Sequence, residues 1–164
     1  MTDEDRPTKI LIVDDDTGTA DSLRLLLGEH EFATETAGAL STAAARLREG
    51  AVDCVILDLT LPDAHDLEAV RALQALHPEV PLIVHTGFPD LVVPSVQAGA
   101  VDVVLKPGVP EEWEHRIRKA IELHKVRRKY QPIMDAMVSA KAIADAMVQD
   151  SVTADSWIRR PGRT

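Results

Sequence analysis

Cysteine is nearly missing from this chain. One residue, Cys54, in 164 excludes an internal disulfide framework. Its place at the head of an apolar run reads as a buried, reduced thiol acting as a small apolar side chain. Long hydrophobic stretches are missing too, since nothing approaches the roughly 18 uninterrupted apolar residues of a membrane span. The N-terminus, MTDEDRPTK, is acidic where a secretory signal would be basic and then apolar. Together these absences predict a soluble cytoplasmic protein. Basic side chains are scarce over most of the length: residues 1–114 hold 7 against 22 acidic ones, a balance of −15. Such an acidic body repels phosphates, which argues against non-specific nucleic-acid binding by it. The missing positive charge is concentrated in residues 115–129, with 7 basic side chains and 1 acidic, while residues 130–164 hold 4 of each. A solvated helix face is the simplest account of that run. There is no internal repeat and no low-complexity tract, only a bias toward alanine.

What is present is a set of short apolar runs with chemically distinctive ends. Ile10–Val13 runs into Asp14, Asp15 and Asp16, and Val55–Leu57 runs into Asp58. Leu82–Val84 reaches Thr86 just past His85, and Val103–Leu105 runs into Lys106. Runs of three or four apolar residues bounded by polar ones are the pattern of strands buried on both faces of a parallel sheet. In such a sheet the carboxyl ends of the strands share one edge, where ligands bind. The endpoints then converge on one cleft.

Between these runs lie helix-like segments, the alternation expected of repeated βα units. Strands are predicted near 9–14, 31–36, 53–58, 80–85 and 101–105, and helices near 17–29, 39–49, 65–76, 89–98 and 111–129. Gly28 and Gly50 serve as stop signals for the first two helices, and Pro78 follows the third. The fold class is α/β, a doubly wound five-stranded parallel sheet with right-handed crossovers. The domain boundary falls at Tyr130, giving a main domain over 1–130 and a helical extension over 131–164. Gln131-Pro132 marks a break, because proline rarely continues a helix and constrains the residue before it. A further helix is expected over about 133–149, with residues 151–164 frayed. Within it Ile133, Met137, Ala140, Ala144 and Met147 fall at spacings of 4, 3, 4 and 3, a short heptad seam. Intramolecular docking and homodimerisation both fit this seam, and dimerisation is the favoured reading.

Carboxylates gathered at strand ends raise one another's pKa and cost stability unless a cation compensates them. Mg²⁺ takes carboxylate and water oxygens, commonly one or two carboxylates together with phosphate oxygens. Asp15 and Asp58 are the candidate direct ligands, with Asp14 acting through a water. Asp58 is also the candidate nucleophile toward a phosphoryl group, forming an acyl phosphate. Lys106 would pair with one phosphoryl oxygen and the Thr86 hydroxyl would hydrogen-bond another. Asp16 reads as the cap of the first helix. Asp63 and Asp66 read as turn residues, His65 as a loop residue, and His85 as a packing residue beside the site.

Asp14-Asp15, Asp58 in DCVILDLTLPD, Thr86 in HTG and Lys106 in AGAVDVVLKP resemble the receiver domain of bacterial two-component response regulators. The likeness covers roughly residues 8–125, and all five positions occur in order, with Pro62 after the acceptor and Pro107 after the lysine. The resemblance implies the flavodoxin-like strand order 2-1-3-4-5. It further implies phosphorylation of Asp58 by a sensor histidine kinase or phosphotransfer protein, and Mg²⁺ held by Asp15, Asp58 and the backbone carbonyl of Thr60. The protein would be a signalling phosphoacceptor with no enzymatic turnover beyond its own phosphorylation and dephosphorylation.

Some positions depart from the family pattern. Val103 stands where an aromatic is usual on the fifth strand, Gly108 where phenylalanine is frequent, and the loop after Pro62 lacks its usual glycine. Without an aromatic at Val103 the usual ring swing coupled to the threonine has no counterpart. Signalling is therefore expected through the loop after Thr86 and the fourth helix. No helix-turn-helix reader fits beyond Tyr130, so a stand-alone receiver acting through protein contacts, without DNA, is expected. Two rival readings remain. Asp14–Thr19 superficially resembles the first motif of haloacid-dehalogenase-type phosphohydrolases, although a later acidic pair and a cap segment are missing. Ala140–Arg160 is faintly similar to RNA-binding antiterminator tails.

Overall fold

The computed structural model describes residues 5–158. In chain order its elements are β1 (Lys9–Val13), α1 (Thr17–Glu29), β2 (Ala33–Ala37), α2 (Leu40–Arg48), β3 (Cys54–Leu57), β4 (Thr60–Leu61) and β5 (Ala64–His65). They continue with α3 (Glu68–Leu76), β6 (Leu82–Thr86), α4 (Val92–Gln97), β7 (Asp102–Leu105) and α5 (Trp113–Ile158). Five strands form one sheet in the order β2-β1-β3-β6-β7, every pairing parallel. This is the predicted doubly wound, flavodoxin-like α/β order. The expected strands at 9–14, 53–58 and 101–105 are present, each trimmed by a residue at one or both ends, and the one expected at 80–85 is shifted to Leu82–Thr86.

Side-chain alternation along each strand feeds two cores. Leu11, Val13, Val55, Leu57, Leu82 and Val84 pack with Ala43, Leu47, Val70 and Leu73 of α2 and α3. Ile10, Ile12, Cys54, Ile56, Ile83 and Val104 pack with Leu23 and Leu27 of α1 and with Trp113 and Ile117 of α5. Burying each of the Leu, Ile and Val side chains contributes roughly 1.5–3 kcal/mol. Both faces of the sheet are covered, which is why its central strands read as unbroken apolar runs.

The edge strand β2 sits slightly later than the expected 31–36. Ion pairs anchor it. The Glu35 carboxylate accepts from the Arg46 guanidinium and lies 2.5 Å from Lys9 Nζ. Those two partners pull its pKa down to about 2.

Several element boundaries differ from the sequence expectation, each for an identifiable reason. The helix expected from 65 starts at Glu68, because residues 60–65 are taken by the antiparallel hairpin of β4 and β5. The helix expected over 89–98 is split into a 3₁₀ turn at Pro89–Leu91 and the short α4. Pro94 is tolerated because it falls in the first turn of α4, where backbone N–H groups have no helical partner. Gly28 lies inside α1, and the chain reverses two residues past the helix end, at Glu31 with φ 65°. Gly50, with φ 80°, does stand just beyond α2.

The break predicted at Gln131-Pro132 is not there. Helix α5 runs on through Pro132 and on to Ile158, so the separate helix over 133–149 is part of it. The proline removes the hydrogen bond to the Arg128 carbonyl, but Arg128 is exposed and water can take that role. The Gln131 amide donates to Asp135 Oδ1 at 2.8 Å, tying the turns on either side of the ring. Residues 151–158, expected to fray, are helical; 159–164 lie outside the described residues. Chain contacts divide the protein into a unit ending at Lys125 and another beginning at Val126. No helix among the described residues is long and apolar enough to cross a membrane.

Candidate functional site

Strand register sets the site. In β1, Val13 pairs with Leu57 of β3 and with Ala37 of β2, so Asp14 and Asp58 leave adjacent strands at one level. Their backbones are tied as well: Asp14 N–H donates to Ala37 O at 3.0 Å, and Asp58 N–H to Val13 O at 2.8 Å. On the other side, Leu57 pairs with Val84 of β6, which places Thr86 near that edge, and Thr86 pairs with Leu105 of β7. Lys106 N–H then donates to Thr86 O at 2.8 Å. Four strands thus deliver the predicted residues to one sheet edge by ordinary parallel pairing.

The side chains converge. Carboxylate oxygens of Asp14, Asp15 and Asp58 lie within 4.8 Å of one another. Lys106 Nζ sits 3.0 Å from Asp14 Oδ2 and 3.5 Å from Asp58 Oδ2. Asp14 and Asp58 are buried while Asp15 is exposed, so the cluster opens to solvent on one side. Burial pushes the Asp58 carboxyl above its ordinary range, Lys106 opposes that, and the nearby Asp14 adds to it. For Lys106 burial alone would lower the pKa, but the Asp14 hydrogen bond and the charges of Asp58 and Asp14 outweigh it and raise it. Three carboxylates against one ammonium leave two uncompensated negative charges. A set of hard oxygens this close, with that residual charge, fits a divalent cation of the Mg²⁺ type.

Thr86 is fully buried, and its Oγ1 accepts from the Phe88 N–H at 3.2 Å, linking it to the following loop. Thr60 opens β4, exposed, two residues past Asp58, and its backbone N–H favours the charged form of the Asp58 carboxyl. Asp16 caps α1 as expected, accepting from Thr19 N–H at 2.9 Å. His85 packs edge-on against Trp113, ring centroids 5.1 Å apart. Burial and the Lys106 charge lower its pKa to about 4, so the ring is neutral. His65, expected in a loop, is the exposed last residue of β5, paired with Thr60 across the hairpin.

Asp63 does more than a turn residue would. Helix α2 has no side-chain cap of its own at Ala39; instead Asp63 accepts from Leu40 N–H at 2.7 Å and Ser41 N–H at 2.9 Å. This ties the loop after Asp58 to the helix beside it. No local signal reveals such a cap, because donor and acceptor are 22 and 23 residues apart in sequence.

Comparison with known proteins agrees with this geometry. The response regulator receiver domain family matches residues 10–118. Response regulator protein TodT of Pseudomonas putida F1 is 32% identical over 130 residues, covering 78% of this chain and 57% of TodT. The DNA-binding response regulator MtrA of Mycolicibacterium smegmatis is 38% identical over 112 residues, covering 67% of this chain and 49% of MtrA. The chain therefore spans about half the length of the curated relatives it matches. A CheY-like response regulator receiver domain protein from Methanospirillum hungatei JF-1 superposes with a TM-score of 0.68 at 27% identity, over 74% of this chain and 99% of that one. NtrX from Brucella abortus gives 0.69 at 25% identity, over 78% of this chain and 30% of NtrX. MtrA is by name a DNA-binding regulator, so these relatives lend no support to the expectation that excluded DNA. Order of motifs, strand topology, clustered acids and family match coincide, and the chain belongs to the response regulator receiver domain family.

Proposed function

We propose that this chain is a phosphoacceptor that receives a phosphoryl group on Asp58 from a sensor histidine kinase or phosphotransfer protein, with Mg²⁺ as cofactor. Residues 1–130 form the receiver and 131–164 its helical extension. The observation that carries this reading is the Lys106 ammonium poised between Asp14 and Asp58 at 3.0 and 3.5 Å. In this reading Asp15, Asp58 and the Thr60 carbonyl would hold the cation, with Asp14 assisting. When bound, it neutralises negative charge and lets an anionic carboxylate approach an anionic phosphoryl group.

Protein residues account for the rest. An Asp58 carboxylate oxygen attacks phosphorus; the new O–P bond forms as the P–N bond to the donor imidazole breaks, the nitrogen keeping the electron pair. Water attack on phosphorus later cleaves that O–P bond, releasing inorganic phosphate and restoring the carboxylate. Lys106 exchanges its contact with the Asp58 carboxylate for a phosphoryl oxygen, a charge-assisted hydrogen bond. The Thr86 hydroxyl donates to another phosphoryl oxygen. Because its oxygen already accepts from Phe88 N–H, that bond pulls on the loop after β6. Val103 offers no aromatic ring, so the signal passes through residues 86–99 to a protein partner. Two copies associate through the exposed seam of α5.

Incubation with a small phosphodonor and Mg²⁺, followed by intact mass, tests the reading. Wild type gains one phosphoryl group, and Asp58→Asn gains none. Equal uptake by both would overturn it.

A further inference from the structure

Beyond Val126 helix α5 leaves an unusual amount of apolar surface in water. Every residue from 126 to 153 is exposed, including Tyr130, Ile133, Met137 and Met147. The seam extends past the stretch visible as Ile133–Met147: Val126, Tyr130, Ile133, Met137, Ala140, Ala144, Met147 and Ser151 alternate at steps of 4 and 3. At 1.5 Å per residue this line is about 39 Å long. An apolar stripe of that length on a helix calls for a partner.

We infer that the partner is the same helix of a second copy, running antiparallel. Large and small seam residues are unevenly placed, and that asymmetry decides the direction. Parallel pairing would stack each residue on itself, so Ala140 would face Ala140 and Ala144 would face Ala144 in neighbouring layers, leaving a void. It would also bring Arg127, Arg128 and Lys129 of both copies together at one end. Antiparallel pairing with Met137 opposite Ala140 sets Ile133 opposite Ala144, Tyr130 opposite Met147 and Val126 opposite Ser151. Each small alanine then receives a large partner, and all eight seam positions are used with no overhang. The same register brings Lys129 beside Asp150 of the second copy on the flank of the seam, twice by the two-fold axis. The basic start of the segment meets its acidic end, where Asp145 and Asp150 lie.

This inference rests on the proposed association through α5 and not on chemistry at Asp58. Sedimentation of the full chain, joined to cysteine cross-linking, tests both layers separately. In the antiparallel pair the two copies of Tyr130 are about 25 Å apart, while Tyr130 abuts Met147 of the other copy. Mixed Tyr130→Cys and Met147→Cys chains are therefore expected to form a disulfide-linked dimer on mild oxidation, and Tyr130→Cys alone none; buried Cys54 stays out of reach. Ile133→Asp should weaken the dimer at least tenfold. Lys129→Asp should also weaken it, and mixing that variant with Asp150→Lys should restore hetero-association. A monomer at 100-fold above micromolar concentration would overturn the association itself. A dimer in which Tyr130→Cys cross-links to itself would leave association standing and overturn the antiparallel orientation.

Discussion

Asp58 stands in an environment that disfavours its own charge, and that has a measurable signature. Its folded pKa lies above the ordinary 3.8, chiefly through burial. Between 3.8 and the raised value the native state keeps a proton that the unfolded state has released, so stability falls as pH rises through that window. Asp58→Asn should remove this slope and stabilise the divalent-free protein at neutral pH. Glu35 behaves oppositely. With its pKa near 2 against an ordinary 4.5, its contribution is present above pH 4.5 and lost as pH falls toward 2, so Glu35→Gln should flatten the acid limb of the curve. Urea unfolding of both variants across pH 3–7 checks the two signs; parallel slopes for wild type and variants would contradict the account. At this scale the acids, Thr86 and Lys106 were legible because each ends a buried run, where a polar side chain needs a reason. Asp63 was not, since its partners Leu40 and Ser41 become neighbours only after folding.

Elements follow the same division between local and long-range information. Central strands were legible because burial on both faces leaves only apolar residues. The hairpin of β4 and β5 was missed because two residues per strand carry no periodicity. Pro132 misled for the reverse reason: the local rule is sound, but solvent at the exposed Arg128 carbonyl and the helix on both sides override it. Pro132→Ala restores one helical hydrogen bond and should favour that helix locally by up to about 3 kcal/mol. Amide exchange near residues 128–136 should slow at least tenfold in the variant, and unchanged exchange would mean that the proline costs nothing there. For the segment after β6, the contact between Thr86 and Phe88 predicts movement on modification. Relaxation-dispersion NMR with and without a phosphoryl mimic should report exchange in residues 86–99, and an unmoving segment would remove it from the signalling path.

For the whole molecule, topology and chemistry are one statement: parallel pairing of β1, β3, β6 and β7 brings three carboxylates, a hydroxyl and an ammonium to one edge. If Asp58 takes up a phosphoryl group as proposed, the chain should react once and stop. On a generic aryl phosphate it should release at most about one equivalent per slow cycle of acyl-phosphate loss, whereas sustained turnover would point to a hydrolase. The most direct test is where the phosphoryl group sits. After incubation with phosphodonor and Mg²⁺, borohydride reduction converts an aspartyl phosphate to homoserine, which peptide mapping locates. The account predicts homoserine at position 58 alone, dependent on Mg²⁺. Homoserine at another aspartate, or its formation at 58 without any divalent cation, would contradict it.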